Sequence, residues 1–177
     1  MELWRKKLGI LGMGRIGRAI AARARCFGME IHYHNRRSLP PDMEAGARFH
    51  DNARSMFGVI DALVLAAPSS AETRGFLDSE RIAWLRRGAI VVNIGRGNLV
   101  VDEALISALT SGQVYAAGLD VFNNEPQLDT RYFDLPNVFM LPHIGSSTIE
   151  TRRRMAQGLI DSLRQWLSGG QPSNRLV

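Results

Sequence analysis

The run Leu8-Gly9-Ile10-Leu11-Gly12-Met13-Gly14-Arg15-Ile16-Gly17 constrains the fold more than any other stretch of the chain. An apolar segment leads into Gly-x-Gly-x-x-Gly, and a small-residue helical pattern through Ile16, Ala19, Ile20, Ala22 and Ala24 follows. That order predicts a strand, a tight turn and a helix whose N-terminus offers backbone N–H groups and a positive dipole end to a phosphate. Gly12 permits the turn, Gly14 lets a pyrophosphate approach the backbone, and Gly17 lets helix and strand pack closely. Met29-Glu30-Ile31-His32-Tyr33 then reads as the next strand.

The same alternation runs on. Strand-like segments are read at Ile31 to His34, Ala47 to His50, Ala62 to Ala67, Ala89 to Ile94, Val114 to Leu119 and Asn137 to Leu141. Helical patterns are read at Arg15 to Arg25, Ser79 to Leu85, Asp102 to Ser111 and Thr148 to Leu167. Nearly continuous apolar strands predict an α/β, doubly wound parallel sheet covered on both faces, a Rossmann-type domain. Residues 1–170 are expected to form this domain, and 171–177 a tail, with Ser168 to Asn174 reading as a linker or frayed end.

Composition narrows the class. With 177 residues, 45% hydrophobic and 22% charged, the chain can bury one core. It has no apolar run of about 18 residues and no signal-peptide core, so no membrane partner is expected and the location expected is cytoplasmic. Its single cysteine, Cys26, has no disulfide partner within the chain and is expected to be a small buried hydrophobe. No metal is expected. The net charge of +5 comes from scattered arginines, and Arg152-Arg153-Arg154 reads as a solvated helix face or oligomer contact, so no nucleic-acid partner is expected.

An NAD site usually carries a carboxylate about 20 residues beyond the glycines, at the end of the second strand. Here that place reads His34-Asn35-Arg36-Arg37. Without the carboxylate a 2′-phosphate is not repelled, and two guanidinium groups can pair with it, so NADP(H) is favoured over NAD(H), which stays open. Later strand ends bring chemistry to the same edge: Arg96, Glu125 and His143. Each alone has an ordinary explanation, as a surface charge, a turn carboxylate before Pro126 and a capping or packing residue. Together they supply an anion holder, a carboxylate and an acid/base, the set that carbonyl reduction requires.

These segments resemble the NAD(P)-binding domain of the D-isomer-specific 2-hydroxyacid dehydrogenases. The resemblance runs through Gly12 to Gly17, Glu72-Thr73-Arg74-Gly75, Gly88 to Asn93, Arg96-Gly97, Val101 to Leu105, Ala117 to Phe122, Glu125-Pro126 and Pro142 to Ser146. The basic run after the second strand is most similar to the NADPH-dependent glyoxylate/hydroxypyruvate reductase branch. The resemblance implies reduction of a small 2-oxo acid to the D-2-hydroxy acid. Arg96 would grip the substrate carboxylate, His143 would protonate the carbonyl oxygen, and Glu125 would orient the imidazole. A capping box of Ser147 and Glu150 would set a helix dipole against imidazolium, a bias the carboxylate offsets. Cofactor contacts would come from Gly12, Gly14, Arg15, Ile16, Gly17, Asn35, Arg36, Arg37, Pro68, Ile94, His143, Gly145 and Asp120, which could instead be a strand-end turn residue.

The family's substrate domain is built mainly from sequence before the glycine motif, and it is expected to be missing here. This chain alone is therefore expected to bind NADPH and reduce 2-oxo acids poorly. A homodimer is implied by the resemblance. A non-catalytic NADP(H)-sensing or interaction module is the alternative.

Overall fold

In the computed structural model, which describes residues 2–172, seven parallel strands form one sheet in the order β3-β2-β1-β4-β5-β6-β7. The strands are β1 (Lys7–Leu11), β2 (Glu30–His34), β3 (Arg48–His50), β4 (Ala62–Leu65), β5 (Ala89–Asn93), β6 (Val114–Leu119) and β7 (Val138–Met140). The helices are α1 (Arg15–Cys26), α2 (Pro41–Glu44), α3 (Ala53–Phe57), α4 (Ser79–Trp84), α5 (Asp102–Thr110) and α6 (Ile149–Leu167). The order reverses between β1 and β4, which places a switch point at the glycine turn.

Side-chain alternation explains the two-sided burial. Leu8 and Ile10 of β1 join Ala21 and Ala24 of α1, while Leu11 joins Met56 and Phe57 of α3 on the other face. All four β4 residues are buried, Ala62 and Val64 toward α1, Leu63 and Leu65 toward α3 to α5. This is the doubly wound parallel sheet expected.

The helix ends differ from the sequence expectation. The first turn of α6 is capped by Thr148, whose hydroxyl accepts the Thr151 N–H at 3.2 Å. Ser147 instead closes a turn on the Ile144 carbonyl and accepts from Arg152, so the expected Ser147–Glu150 box does not form. Nor is Gly169-Gly170 frayed: Gly169 has φ +77°, and the Gly170 N–H returns to the Gln165 carbonyl, closing the C-terminus of α6. Positions 173–177 lie outside the described residues. Cys26 is exposed, its thiol resting on the Ala22 carbonyl, because Gly17, Ala21 and Ala24 form the face of α1 that meets the sheet. Helices α2 and α3 and the two 3₁₀ turns, Gly97–Leu99 and Thr130–Asp134, had no expected counterpart. No described helix is long and apolar enough to cross a membrane.

Packing divides the chain into two compact units, one ending at Pro142 and the other beginning at His143. The first contains the whole sheet. The second is α6 with its flanking segments.

Candidate functional site

In the first unit every strand is parallel, so the loops after β1, β2, β4, β5 and β6 share one edge of the sheet. The glycine turn begins that edge. Gly12 has φ +95°, and a Cβ there would lie 2.5 Å from the Ala67 backbone nitrogen, so glycine is required twice over. A Cβ on Gly17 would lie 2.4 Å from the Gly12 carbonyl and 3.2 Å from Ile10, which is the expected close packing of α1 on the turn and β1. At Gly14, by contrast, a Cβ would meet no protein atom. Gly14 is the N-cap of α1, no side chain caps that end, and Ile16 is 62% exposed in the first turn. A pyrophosphate fits this open cradle, with backbone N–H groups and no competing carboxylate.

The end of β2 is tied to the turn. The Gly12 N–H donates to the His34 carbonyl at 3.1 Å, and the Met13 N–H donates to Asn35 Oδ1 at 2.7 Å. Asn35 thus spends its side-chain oxygen bracing the glycine turn. The loop beyond is fixed by buried Tyr33, whose hydroxyl accepts the Leu39 N–H and donates to Glu44. Arg36 and Arg37 project from this braced segment and are exposed. Arg36 contributes to holding the Glu72 carboxyl below its usual range, after the larger effect of the Ser70 hydroxyl 2.5 Å away. The β2 and β4 loops therefore flank the turn, with Pro68 exposed on the latter.

Arg96 follows β5 on a loop shaped by Asn93, which is 1% exposed. Asn93 Nδ2 donates to the Arg96 carbonyl at 3.0 Å, and its Oδ1 accepts the Gly95 N–H at 3.1 Å. Ile94 is half-buried beside them, and the Arg96 side chain reaches outward, donating to the Gly95 carbonyl. Glu125 lies on the loop after β6, where its Oε1 accepts the Phe122 N–H at 2.7 Å. Asp120, 8% exposed, begins that loop.

The structure brings these two loops together. A Cβ on Gly97 would fall 1.9 Å from the Phe122 carbonyl carbon, so the Arg96 loop lies directly against the backbone beside Glu125. Asn123 Nδ2 donates to both the Val100 carbonyl and Asp102, and the Tyr132 hydroxyl donates to the other Asp102 oxygen. Burial and the Asp102 charge push the Tyr132 phenol well above its ordinary range, so it stays a donor. Asn93, Asp102, Asn123 and Tyr132 were not among the expected site residues. Only Asn93, an asparagine at a strand end two residues before glycine, carried a local signal.

His143 begins the second unit with φ +56°, a left-handed conformation uncommon outside glycine, and Gly145 follows two residues later, also exposed.

Residues 1–145 match the family described as D-isomer specific 2-hydroxyacid dehydrogenase, NAD binding domain. Glycerate dehydrogenase of Hyphomicrobium methylovorum is 44% identical, over 99% of this chain and 55% of its own length. Glyoxylate/hydroxypyruvate reductase B of Pectobacterium atrosepticum is also 44% identical, over 98% of this chain and 55% of its own. Among solved structures, the NADPH-dependent glyoxylate/hydroxypyruvate reductase of Sinorhizobium meliloti in complex with NADP and malonate superposes with a TM-score of 0.93. It is 34% identical and covers 98% of this chain and 53% of that one. The chain spans about half the length of the relatives it matches.

Proposed function

Because the chain belongs to the D-isomer specific 2-hydroxyacid dehydrogenase family, in its NAD-binding domain, we propose that it is the cofactor-binding half of an NADPH-dependent 2-oxo-acid reductase. The observation that carries the cofactor preference is the β2 end. Asn35 is committed to the Met13 N–H, no carboxylate follows it, and Arg36 and Arg37 stand exposed on a braced loop. A 2′-phosphate there gains charge-assisted hydrogen bonds from arginine, where NAD(H) gains none.

NADPH, when bound, supplies the hydride. The chain's own residues do the rest. Backbone N–H groups at the start of α1 hold the pyrophosphate, with Gly14 leaving room for it. Asp120 orients the carboxamide end, and Pro68 and Ile94 line the cleft. Arg96 holds the carboxylate of a glyoxylate- or hydroxypyruvate-type substrate through its planar fork, on a loop that Asn93 prevents from drifting. His143 gives its proton to the carbonyl oxygen as the D-2-hydroxy acid forms, and Glu125 serves as the auxiliary carboxylate of the set. This domain supplies one wall of the cleft, and excluding water from the reaction needs a second. A cytoplasmic homodimer belongs to the same proposal.

Calorimetric titration with NADP⁺ and NAD⁺ tests the cofactor reading. Arg36→Ala is expected to weaken NADP⁺ about tenfold or more, the value of one charge-assisted bond, and to leave NAD⁺ within about twofold. Equal NADP⁺ and NAD⁺ affinities in the unaltered chain would overturn the preference. Domain-supplied 2-oxo-acid reduction that survives His143→Ala would overturn the acid role.

A further inference from the structure

Histidine accounts for four residues of the chain, and three of them, His32, His34 and His50, meet beneath α3 at the β2–β3 edge of the sheet. His32 and His50 are buried, at 4% and 9% exposure, and no dinucleotide contact has been assigned to either. His32 Nδ1 lies 2.8 Å from His50 Nε2, and His50 Nδ1 lies 3.0 Å from Ser55 Oγ. The Ser55 hydroxyl donates to the Asn52 carbonyl at 3.0 Å, so its oxygen accepts from His50. With His50 Nδ1 donating, its Nε2 must accept, and His32 Nδ1 is the donor. One proton assignment thus satisfies the whole chain, and in it both imidazoles are neutral.

Protons added to this pair have nowhere favourable to go. The first puts a positive charge into a buried site whose other charges are Lys7 on β1, Glu30 on β2, Arg48 on β3 and Asp51 just past it, with His34 alongside. Arg54, the charged residue of α3, lies over the Trp84 ring instead. A second proton sets one N–H against another across 2.8 Å. Burial holds both imidazoles below the ordinary histidine range, and for His32 the neighbouring His50 adds to it. Folded chains therefore bind fewer protons here than unfolded ones. The pair's contribution is fully present above the unfolded histidine value of about 6.5 and is lost as pH falls below it.

A continuous set of bonds runs from this pair to the glycine turn. His34 Nδ1 donates to the His50 carbonyl at 2.8 Å, the His34 carbonyl accepts the Gly12 N–H, and Asn35 accepts the Met13 N–H. β3 is a three-residue edge strand, the class of element that opens first. We propose that the His32–His50 pair makes dinucleotide binding proton-linked: acid protonates the pair, loosens the β2–β3 edge and weakens the hold of the glycine turn on the cofactor. By reciprocity, bound dinucleotide makes the pair harder to protonate. The proposal rests on the dinucleotide reading of the turn.

The test is calorimetric titration of the chain with NADP⁺ and NAD⁺ from pH 8 to pH 5.5, against His50→Gln, which keeps a polar partner for His32 but cannot titrate. At pH 8 the two proteins should bind alike. Between pH 8 and 5.5 the unaltered chain should lose about fivefold more affinity than the variant, the lower end of ordinary site-to-site coupling. The 2′-phosphate of NADP⁺ titrates near 6 and weakens both proteins equally, and NAD⁺ lacks it. Parallel pH profiles would overturn the proton linkage while leaving the cofactor site intact. Absence of any dinucleotide binding at pH 8 would overturn the cofactor reading instead. Should the variant fail to fold, imidazole nitrogen NMR of the unaltered chain decides. His32 and His50 should titrate below the ordinary histidine range, and lower still with NADP⁺ present, whereas titration near 6.5 unmoved by NADP⁺ would refute the linkage.

Discussion

At the scale of single residues, the three glycines of the turn separate folding from binding. Gly12 and Gly17 are required by the protein itself, since a methyl at either would press on the backbone of Ala67 or on the Gly12 carbonyl. Gly14 faces open space, so no contact within the protein requires a glycine there. Two alanine substitutions should therefore part company. Gly12→Ala combines a φ of +95° with a 2.5 Å approach to backbone, and is expected to cost about 2–3 kcal/mol, a fall in Tm of roughly 5–10 °C by thermal denaturation. Gly14→Ala should leave Tm within about 2 °C, as surface changes do, while NADP⁺ affinity drops about tenfold or more in the same preparation. Unchanged affinity in Gly14→Ala would place the pyrophosphate elsewhere. Asn35 shows the same distinction: it lies where a ribose-binding carboxylate is usual, yet its oxygen serves the Met13 N–H.

At the scale of elements, polar side chains set the loops that the sheet cannot set. The Asp102 carboxylate gathers Asn123 and Tyr132, joining the start of α5 to the segment that carries Glu125. Tyr132→Phe removes one donor to a part-buried carboxylate and should cost about 1–2 kcal/mol by urea denaturation at pH 7. Its pH dependence is specific. An unfolded tyrosine ionises near 10, whereas burial and Asp102 hold Tyr132 protonated in the fold. Stability from this group is therefore present below pH 10 and lost above it, so the gap between wild type and Tyr132→Phe should narrow from pH 9 to pH 11. Helix α3 depends likewise on Asn52, which accepts the Ser55 N–H at 2.9 Å, and Asn52→Ala should cost about 1 kcal/mol. All seven strands were legible in the sequence to within two residues at either end; burial on both faces leaves an apolar run in β1 and β4, while the edge strands β3 and β7, partly exposed, were legible from their place in the alternation. Helices α2 and α3 were not, since four or five residues span barely a turn and carry no period. The burial of Cys26 was misjudged because α1 is small on several sides, and only packing reveals that Gly17, Ala21 and Ala24 face the sheet. Arg96 and Glu125 were legible as strand-end residues, and the Asn93 brace, closing on residues two and three positions away, carried a local signal, but the Asn123 brace depends on a contact across 23 residues of sequence, which no local pattern encodes.

For the whole molecule, burial is distributed very unevenly. β1, β4 and β5 lie at the centre of the sheet, and Ile10, Leu63, Leu65 and Val91 within them are fully buried. Helix α6 is the longest element at 19 residues, yet none of its side chains is buried, and Met155, Leu159, Leu163, Trp166 and Leu167 stand exposed along it. Among the described residues its own unit supports it through the Thr148 cap, the glycine closure at its end and local pairs such as Gln157 with Asp161. An isolated helix of this length is marginal in water, because nucleation is costly and propagation gains little per residue. The molecule should therefore open in stages. In hydrogen exchange followed by mass spectrometry, peptides from β1, β4 and β5 should exchange only on global unfolding, while α6 should exchange at least about a hundredfold faster, through local opening. Addition of NADP⁺ should slow exchange in residues 12–20 and at the end of β2, where the turn and the Asn35 brace lie. If α6 instead exchanged as slowly as β4 at micromolar concentration, its apolar side chains would be covered in solution, and diluting the protein would show whether the covering surface is a second copy.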